Sequence, residues 1–176
     1  PAGQVGDPVR LAGLGGRRLV ELGYAEERGE AAGGWIELVV ALEVVVGLGQ
    51  DDAGRGQVLV VVGSLKDSFG FDMFLDVTAV DWPERQPRFD VVWHFYSTKY
   101  FVRVRLKARV PLADPTVDSL VPLYGSAAFM ERECHDMYGI VFRGNADLRP
   151  ILLYEGFEGH PLRKDYVKQH EQPLVP

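Results

Sequence analysis

Residues 89–110 constrain this chain more tightly than any other stretch. Phe89, Val91, Trp93 and Phe95 share one face at a period of two. After the short link Ser97-Thr98-Lys99, the residues Val102, Val104, Leu106, Ala108 and Val110 do the same. That period belongs to a β-strand, and two such runs across a short link predict an antiparallel hairpin. The second run carries Arg103, Arg105, Lys107 and Arg109 on its other face. Such a stripe reads either as a solvated surface, or as a face that docks an acidic partner or lies near anionic lipid headgroups.

Around this hairpin the pattern is mixed. Pro8 to Gly23 reads as a short helix weakened by glycines, and Trp35–Val46 as a valine-rich strand with helix possible near Ala41. Gln57–Val62 reads as another strand, Ser64–Gly70 as a helical or turn segment, and Phe74–Val80 as a strand closed by Asp81-Trp82-Pro83. Asp114-Pro115 looks like the start of a helical stretch. Ser126 is placed to cap a helix over Ala127–Tyr138, and Gly139 to end it. On that helix Met130, Cys134, Met137 and Tyr138 form an apolar stripe at i, i+4, i+7, i+8. From Ile140 onward periodicity fades into a Gly- and Pro-rich tail. Together these features predict an α+β fold: a mixed, largely antiparallel sheet with helices on one face and an extended C-terminal tail. Residues 1–150 are expected to form one domain and 151–176 a docking tail. The glycines crowd before residue 63 and the aromatics after it, so the best-specified core belongs to the later part.

Composition excludes several functions. One cysteine, Cys134, rules out a disulfide framework, and with four scattered histidines it cannot by itself supply the ligands of an iron–sulfur cluster or structural zinc. A formal net charge of −6 argues against general affinity for nucleic acid. The longest apolar run, Trp35–Leu48, is broken by Glu37 and Glu43 and falls short of the ~20 residues that span a bilayer. The opening residues, which begin at Pro1 without an initiator Met, do not read as a signal peptide, so a reducing cytoplasm is the expectation. Gly13-Leu14-Gly15 and Gly47-Leu48-Gly49 each lack the third glycine of a dinucleotide fingerprint, having Arg18 and Asp52 at that place. Glu131 and Glu133 diverge by about 200° on a helix, too far to flank one bond. Glu131 with His135, and Arg132 with Asp136, stand at i, i+4 and read as surface ion pairs. Cys134, on the apolar stripe, reads as core and not as a nucleophile.

The run Glu131-Arg132-Glu133-Cys134-His135-Asp136-Met137-Tyr138-Gly139-Ile140-Val141-Phe142-Arg143-Gly144, then Asp147-Leu148-Arg149, then Gly156-Phe157-Glu158-Gly159-His160-Pro161-Leu162-Arg163-Lys164-Asp165-Tyr166 resembles a known signature. It is similar to the 30-kilodalton-type subunit, also called the C subunit, of the proton-pumping NADH:quinone oxidoreductase, respiratory complex I. Leu75–Pro83 with Arg88-Phe89 is similar as well, so the resemblance spans roughly residues 65–167. The sequence departs from the family pattern at Asn145-Ala146, where a His-Pro is usual, and at Pro150, where an arginine is usual. It also ends at Pro176, where many relatives continue.

The resemblance implies a non-catalytic scaffold subunit in the peripheral arm of a membrane-associated, proton-translocating NADH dehydrogenase of the respiratory chain. Electrons would pass from NADH through FMN and iron–sulfur clusters in other subunits to quinone, with no cofactor, metal or catalytic centre in this chain. It implies partners among the hydrophilic-arm subunits, especially the large quinone-site subunit. No nucleic acid is expected, and membrane contact only through the complex, at the cytoplasmic face of the plasma membrane or its matrix or stromal equivalent. The interface residues it implies are Glu131, Arg132, Glu133, Asp136, Gly139, Asp147 and Arg149, then Gly159, His160, Pro161, Arg163, Lys164 and Asp165. On this reading Gly159, His160 and Pro161 form a bend that turns Arg163 and Lys164 toward a partner. One alternative is the equivalent subunit of a membrane-bound hydrogenase or a ferredoxin- or F420H2-linked complex. An alternative of another class is a stand-alone metal-dependent hydrolase using Glu131, Glu133, His135 and Asp136, which the divergence of those side chains disfavours.

Overall fold

A computed structural model describes residues 23–25, 41–46, 57–169 and 172. In chain order the described elements are β1 (Gly23–Ala25), β2 (Ala41–Val46), α1 (Gln57–Asp67), β3 (Met73–Asp81), β4 (Phe89–Ser97), β5 (Val102–Val110), β6 (Thr116–Asp118), α2 (Ala127–Tyr138) and β7 (Val141–Arg143). Strands β1 to β5 form one sheet in the order β1-β2-β5-β4-β3, antiparallel except where β2 runs parallel to β5. The fold is the expected mixed, largely antiparallel α+β arrangement. Of the short helix expected over 8–23, residues 8–22 lie outside the described residues and Gly23 instead begins β1; both Gly-x-Gly segments and the first part of the strand expected over Trp35–Val46 also lie outside them.

The hairpin forms as its alternation dictates. Trp93 pairs with Leu106 and Val77, Val91 with Ala108 and Ala79, and Phe89 with Val110 and Asp81. Paired residues point to the same side of a sheet, so these rows build one buried face, with Phe89, Val91, Trp93 and Leu106 all sealed from solvent. Tyr124 closes one end of that face, its ring 5.7 Å from those of both Phe74 and Phe95.

Three expectations about local structure need correction. Gln57–Val62 is not a strand but the first half of α1, which runs to Asp67. Val58, Val61, Val62 and Leu65 fall at i, i+3, i+4, i+7, and all four are buried in the core. Tertiary burial of that face outweighs the strand preference of valine. The stretch after Asp114-Pro115 is not helical: Thr116–Asp118 pairs in parallel with Val141–Arg143, so a strand also occupies what reads as the start of the tail. Ser126 does not cap α2. Its backbone is already helical at φ −64° and its side chain makes no cap bond. The first amides of α2 bond back to a preceding turn instead, Ala127 N–H to the Tyr124 carbonyl at 3.0 Å. The other end matches expectation: Gly139 adopts the left-handed conformation at φ 70° and donates to the His135 carbonyl.

Candidate functional site

Helix α2 lies against the edge strand β3. Cys134 sits in the core with Met130 and Tyr138 packed against it, as the apolar stripe predicts; Met137, the fourth member of that stripe, is only half-buried and is not among the residues packed on the core. Burial pushes the Cys134 thiol up, which suits an inert core group. The acids of this helix behave differently from expectation. Glu131 is fully buried (0% exposed), and its carboxylate accepts from Leu120 N at 2.7 Å, Ser119 Oγ at 2.8 Å and Asn145 Nδ2 at 2.9 Å. Desolvation nevertheless pushes its carboxyl above the ordinary value, those three donors opposing. Asp136 is buried too, and one of its oxygens accepts the backbone N–H groups of Ile151, Leu152 and Leu153 at 2.8, 2.9 and 3.2 Å. Arg132 donates to the carbonyls of Arg149 and Pro150. The i, i+4 ion-pair reading therefore gives way. Glu131, Arg132 and Asp136 bind backbone and side chains distant in sequence, because burial makes unpaired amides and carbonyls costly and these side chains reach them.

The tail folds back onto the same helix. The four last carbonyls of α2 are all engaged: His135 O by Gly139 N–H, Asp136 O by His160 Nδ1 at 2.9 Å, Met137 O by Leu162 N–H at 3.1 Å, and Tyr138 O by Arg163 Nε at 2.6 Å. Gly139 is required by this packing as well as by its φ. A Cβ there would lie 2.3 Å from Arg163 Nη2 and 2.4 Å from His160 Nε2. Burial, with Arg163 and His135 nearby, holds the His160 imidazole below its usual value, so it is neutral at neutral pH.

A second clip joins the tail to the sheet. Arg88 is 7% exposed and forks onto Asp81, with Nε to Oδ1 at 2.6 Å and Nη2 to Oδ2 at 2.8 Å. Its remaining nitrogen reaches Asp165 at 2.8 Å, while Lys164 N–H donates to Asp81 at 2.8 Å. The Arg88 hydrogen bonds hold both the Asp81 and Asp165 carboxyls below the ordinary range.

The structure thus brings most of the implied site residues together around the end of α2. Gly159, at φ 92°, lies under the Tyr166 ring, and the bend through His160 and Pro161 closes with Arg163 N–H on the His160 carbonyl at 3.1 Å. The bend turns Arg163 inward, over the ring of Phe89, not outward; Lys164 alone of that pair is exposed. Glu133 is exposed and away from Glu131. Asp147 and Arg149 pair with each other at 2.8 Å near Arg132, and the Arg149 hydrogen bonds hold the Asp147 carboxyl well below its usual range. The hydrolase set does not converge: His135 Nδ1 bonds the Ile140 carbonyl, while Glu131 and Asp136 serve the backbone segments named above. Sequence reasoning missed Ser119, Asn145 and the clip residue Arg88. Arg88 ends the seven-residue link between β3 and β4, next to Phe89, which pairs with Asp81. Asn145 stands at a family departure and still braces Glu131.

Residues 53–172 match the family described as respiratory-chain NADH dehydrogenase, 30 Kd subunit. A curated relative from Agrobacterium fabrum, the C subunit of NADH-quinone oxidoreductase, is 44% identical over 131 residues, covering 73% of this chain and 65% of the relative. The C/D subunit of the same enzyme from Bdellovibrio bacteriovorus is 43% identical over 108 residues, 61% of this chain and 19% of that protein. A chain of the membrane-bound sulfane sulfur reductase, an archaeal respiratory membrane complex, superposes with a TM-score of 0.63 at 26% identity, covering 73% of each chain. The chain spans between 19% and 65% of the length of the first curated relatives it matches.

Proposed function

The chain belongs to the family of the 30 Kd subunit of respiratory-chain NADH dehydrogenase, and on that premise we propose that it is a non-catalytic scaffold subunit of a proton-translocating NADH:quinone oxidoreductase. It supports electron flow from NADH through FMN and iron–sulfur clusters held by other subunits to quinone. Its place is the peripheral arm, at the cytoplasmic face of the membrane or its matrix or stromal equivalent. No helix among the described residues is long and apolar enough to cross a membrane. Its own donor set does not fit an iron–sulfur cluster: the one cysteine is core, and Glu131 and Asp136 of α2 are engaged with backbone. The observation that carries the reading is the clamped tail. Side chains of α2 hold residues 149–153 in place, and its last backbone carbonyls hold His160, Leu162 and Arg163, while Leu152 at 60% and Leu162 at 50% exposure point outward. Apolar side chains presented on an immobilised segment are a docking surface whose ordering cost has already been met in the fold.

We assign that surface to the large quinone-site subunit. The fused C/D relative supports this, since a covalent join keeps the two subunits adjacent. The test is co-purification through a tag on this chain. The parent should carry the large subunit and NADH:quinone reductase activity. Leu152→Asp with Leu162→Asp should lower both at least tenfold while the chain's own Tm stays within about 2 °C, because both side chains are exposed. Full assembly of the double variant would remove the docking role. The archaeal match favours one second reading, the equivalent subunit of a related respiratory membrane complex. The electron-input subunits that co-purify decide between the two.

A further inference from the structure

The sheet has a second face, opposite the core, and its hairpin tip carries a conformational oddity. Phe101 adopts φ 56°, in the left-handed region that suits glycine or asparagine and strains a bulky residue. Its N–H donates to the Ser97 carbonyl at 2.9 Å, and the neighbouring Tyr100 N–H donates to Ser97 Oγ at 3.2 Å, which fixes the turn. The strained ring gains no burial in return, for Phe101 is 69% exposed and Tyr100 beside it 54%. Lys99 lies over the Tyr100 ring, 4.9 Å from its centre.

From this tip the outer face continues as ordered rows. Met73, Tyr96 and Arg103 form the first, with the Arg103 guanidinium over Tyr96. Asp76, His94 and Arg105 form the second, in which Arg105 Nε donates to His94 Nε2 at 3.1 Å. The last row holds Val80, Asp90 and Arg109, with Arg109 4.0 Å from Asp90. Burial and the neighbouring Arg105 keep the His94 imidazole below its usual value, so it stays a neutral acceptor that fixes Arg105. The cations of β5 stand about 7 Å apart along the strand, on a chain whose net charge is −6.

We propose that the outer face from Phe101 to Arg109 docks the acidic surface of a protein partner, with Phe101 seated in an apolar pocket of that partner. Charge complementarity selects the partner's carboxylates for Arg103, Arg105 and Arg109, and an exposed aromatic held at a strained position is a ready anchor. A protein fits better than an anionic membrane, because the exposed Asp76 stands among the cationic rows and would be repelled by a continuous sheet of headgroups, whereas the buried Asp90 is already paired with Arg85. The inference rests on the reading that the chain works inside an assembly, but it concerns a surface other than the clamped tail.

The experiment uses the full chain in its assembled complex, with the photoreactive residue benzoylphenylalanine in place of Phe101. Irradiation should join it to one partner subunit, at a segment bearing carboxylates. Two variants accompany it. Phe101→Asn should raise the Tm of the free chain by about 2–4 °C by relieving strain, yet lower its association rate with complex depleted of this subunit. Arg103→Glu with Arg105→Glu should lower that rate roughly tenfold at low salt and leave little difference at high salt. Vesicles containing phosphatidylserine serve as the lipid probe, and the chain should not bind them at physiological salt. Absence of a protein crosslink, parental association by both variants, or vesicle binding that tracks the arginines would overturn the proposal. If the parent chain itself does not rejoin the depleted complex, the assembly reading is at fault, not the docking face.

Discussion

Glu131 shows how one side chain can be an apparent surface charge in the sequence and a structural keystone in the fold. Its three donors all point at carboxylate oxygens, so Glu131→Gln sets an amide N–H against a donor. The expected loss is about 1–3 kcal/mol, measured by urea unfolding. The pH dependence has a definite sign. Because burial raises the folded carboxyl above the unfolded one, the folded state binds the extra proton, and this contribution declines as pH rises from the ordinary carboxylate value through the raised one. The Gln variant should lack that decline, and matching pH profiles for the two proteins would refute the assignment. The i, i+4 rule finds only partners on the same helix, whereas Ser119, Leu120 and Asn145 arrive through the fold. For that reason the signature residues were legible as a set, and their individual partners were not.

At the scale of elements, legibility followed periodicity. The β4–β5 hairpin was plain because its pairing is local and its alternation unbroken. Helix α1 was not, because its valines favour strands while the spacing of Val58, Val61, Val62 and Leu65 favours a helix. Strand β6 was invisible because its partner β7 lies more than 20 residues away. The clip between β3, β4 and the tail makes a prediction of its own. Arg88→Met leaves Asp81 buried with its guanidinium partner gone, and about 3–5 kcal/mol of stability should go with it. In the parent, Asp81 and Asp165 are held below their unfolded values. Their contribution is therefore present at neutral pH and disappears as pH falls below about 4. Acid titration of both proteins should show the parent converging on the variant, and parallel curves would count against the clip.

Among the described residues, the chain is a sheet with one face buried in a core that α1 shares, helix α2 along its edge, and a tail that returns to α2. Truncation after Glu155 removes the His160, Leu162 and Arg163 donors and the Asp165 end of the clip. Thermal melting should register a loss of roughly 2–4 kcal/mol, and a truncated chain as stable as the parent would show that the tail is an appendage. The ending of α2 carries a further meaning. A helix normally surrenders its last carbonyls to water or to its own cap; here three of the four are lent to a segment more than twenty residues downstream. Helix and tail are consequently one thermodynamic unit at that end, and neither can loosen without the other. A partner that grips the tail also holds the last turn of α2, and through Cys134 and Tyr138 the strand beneath it, so that assembly tightens the interior of this chain from outside.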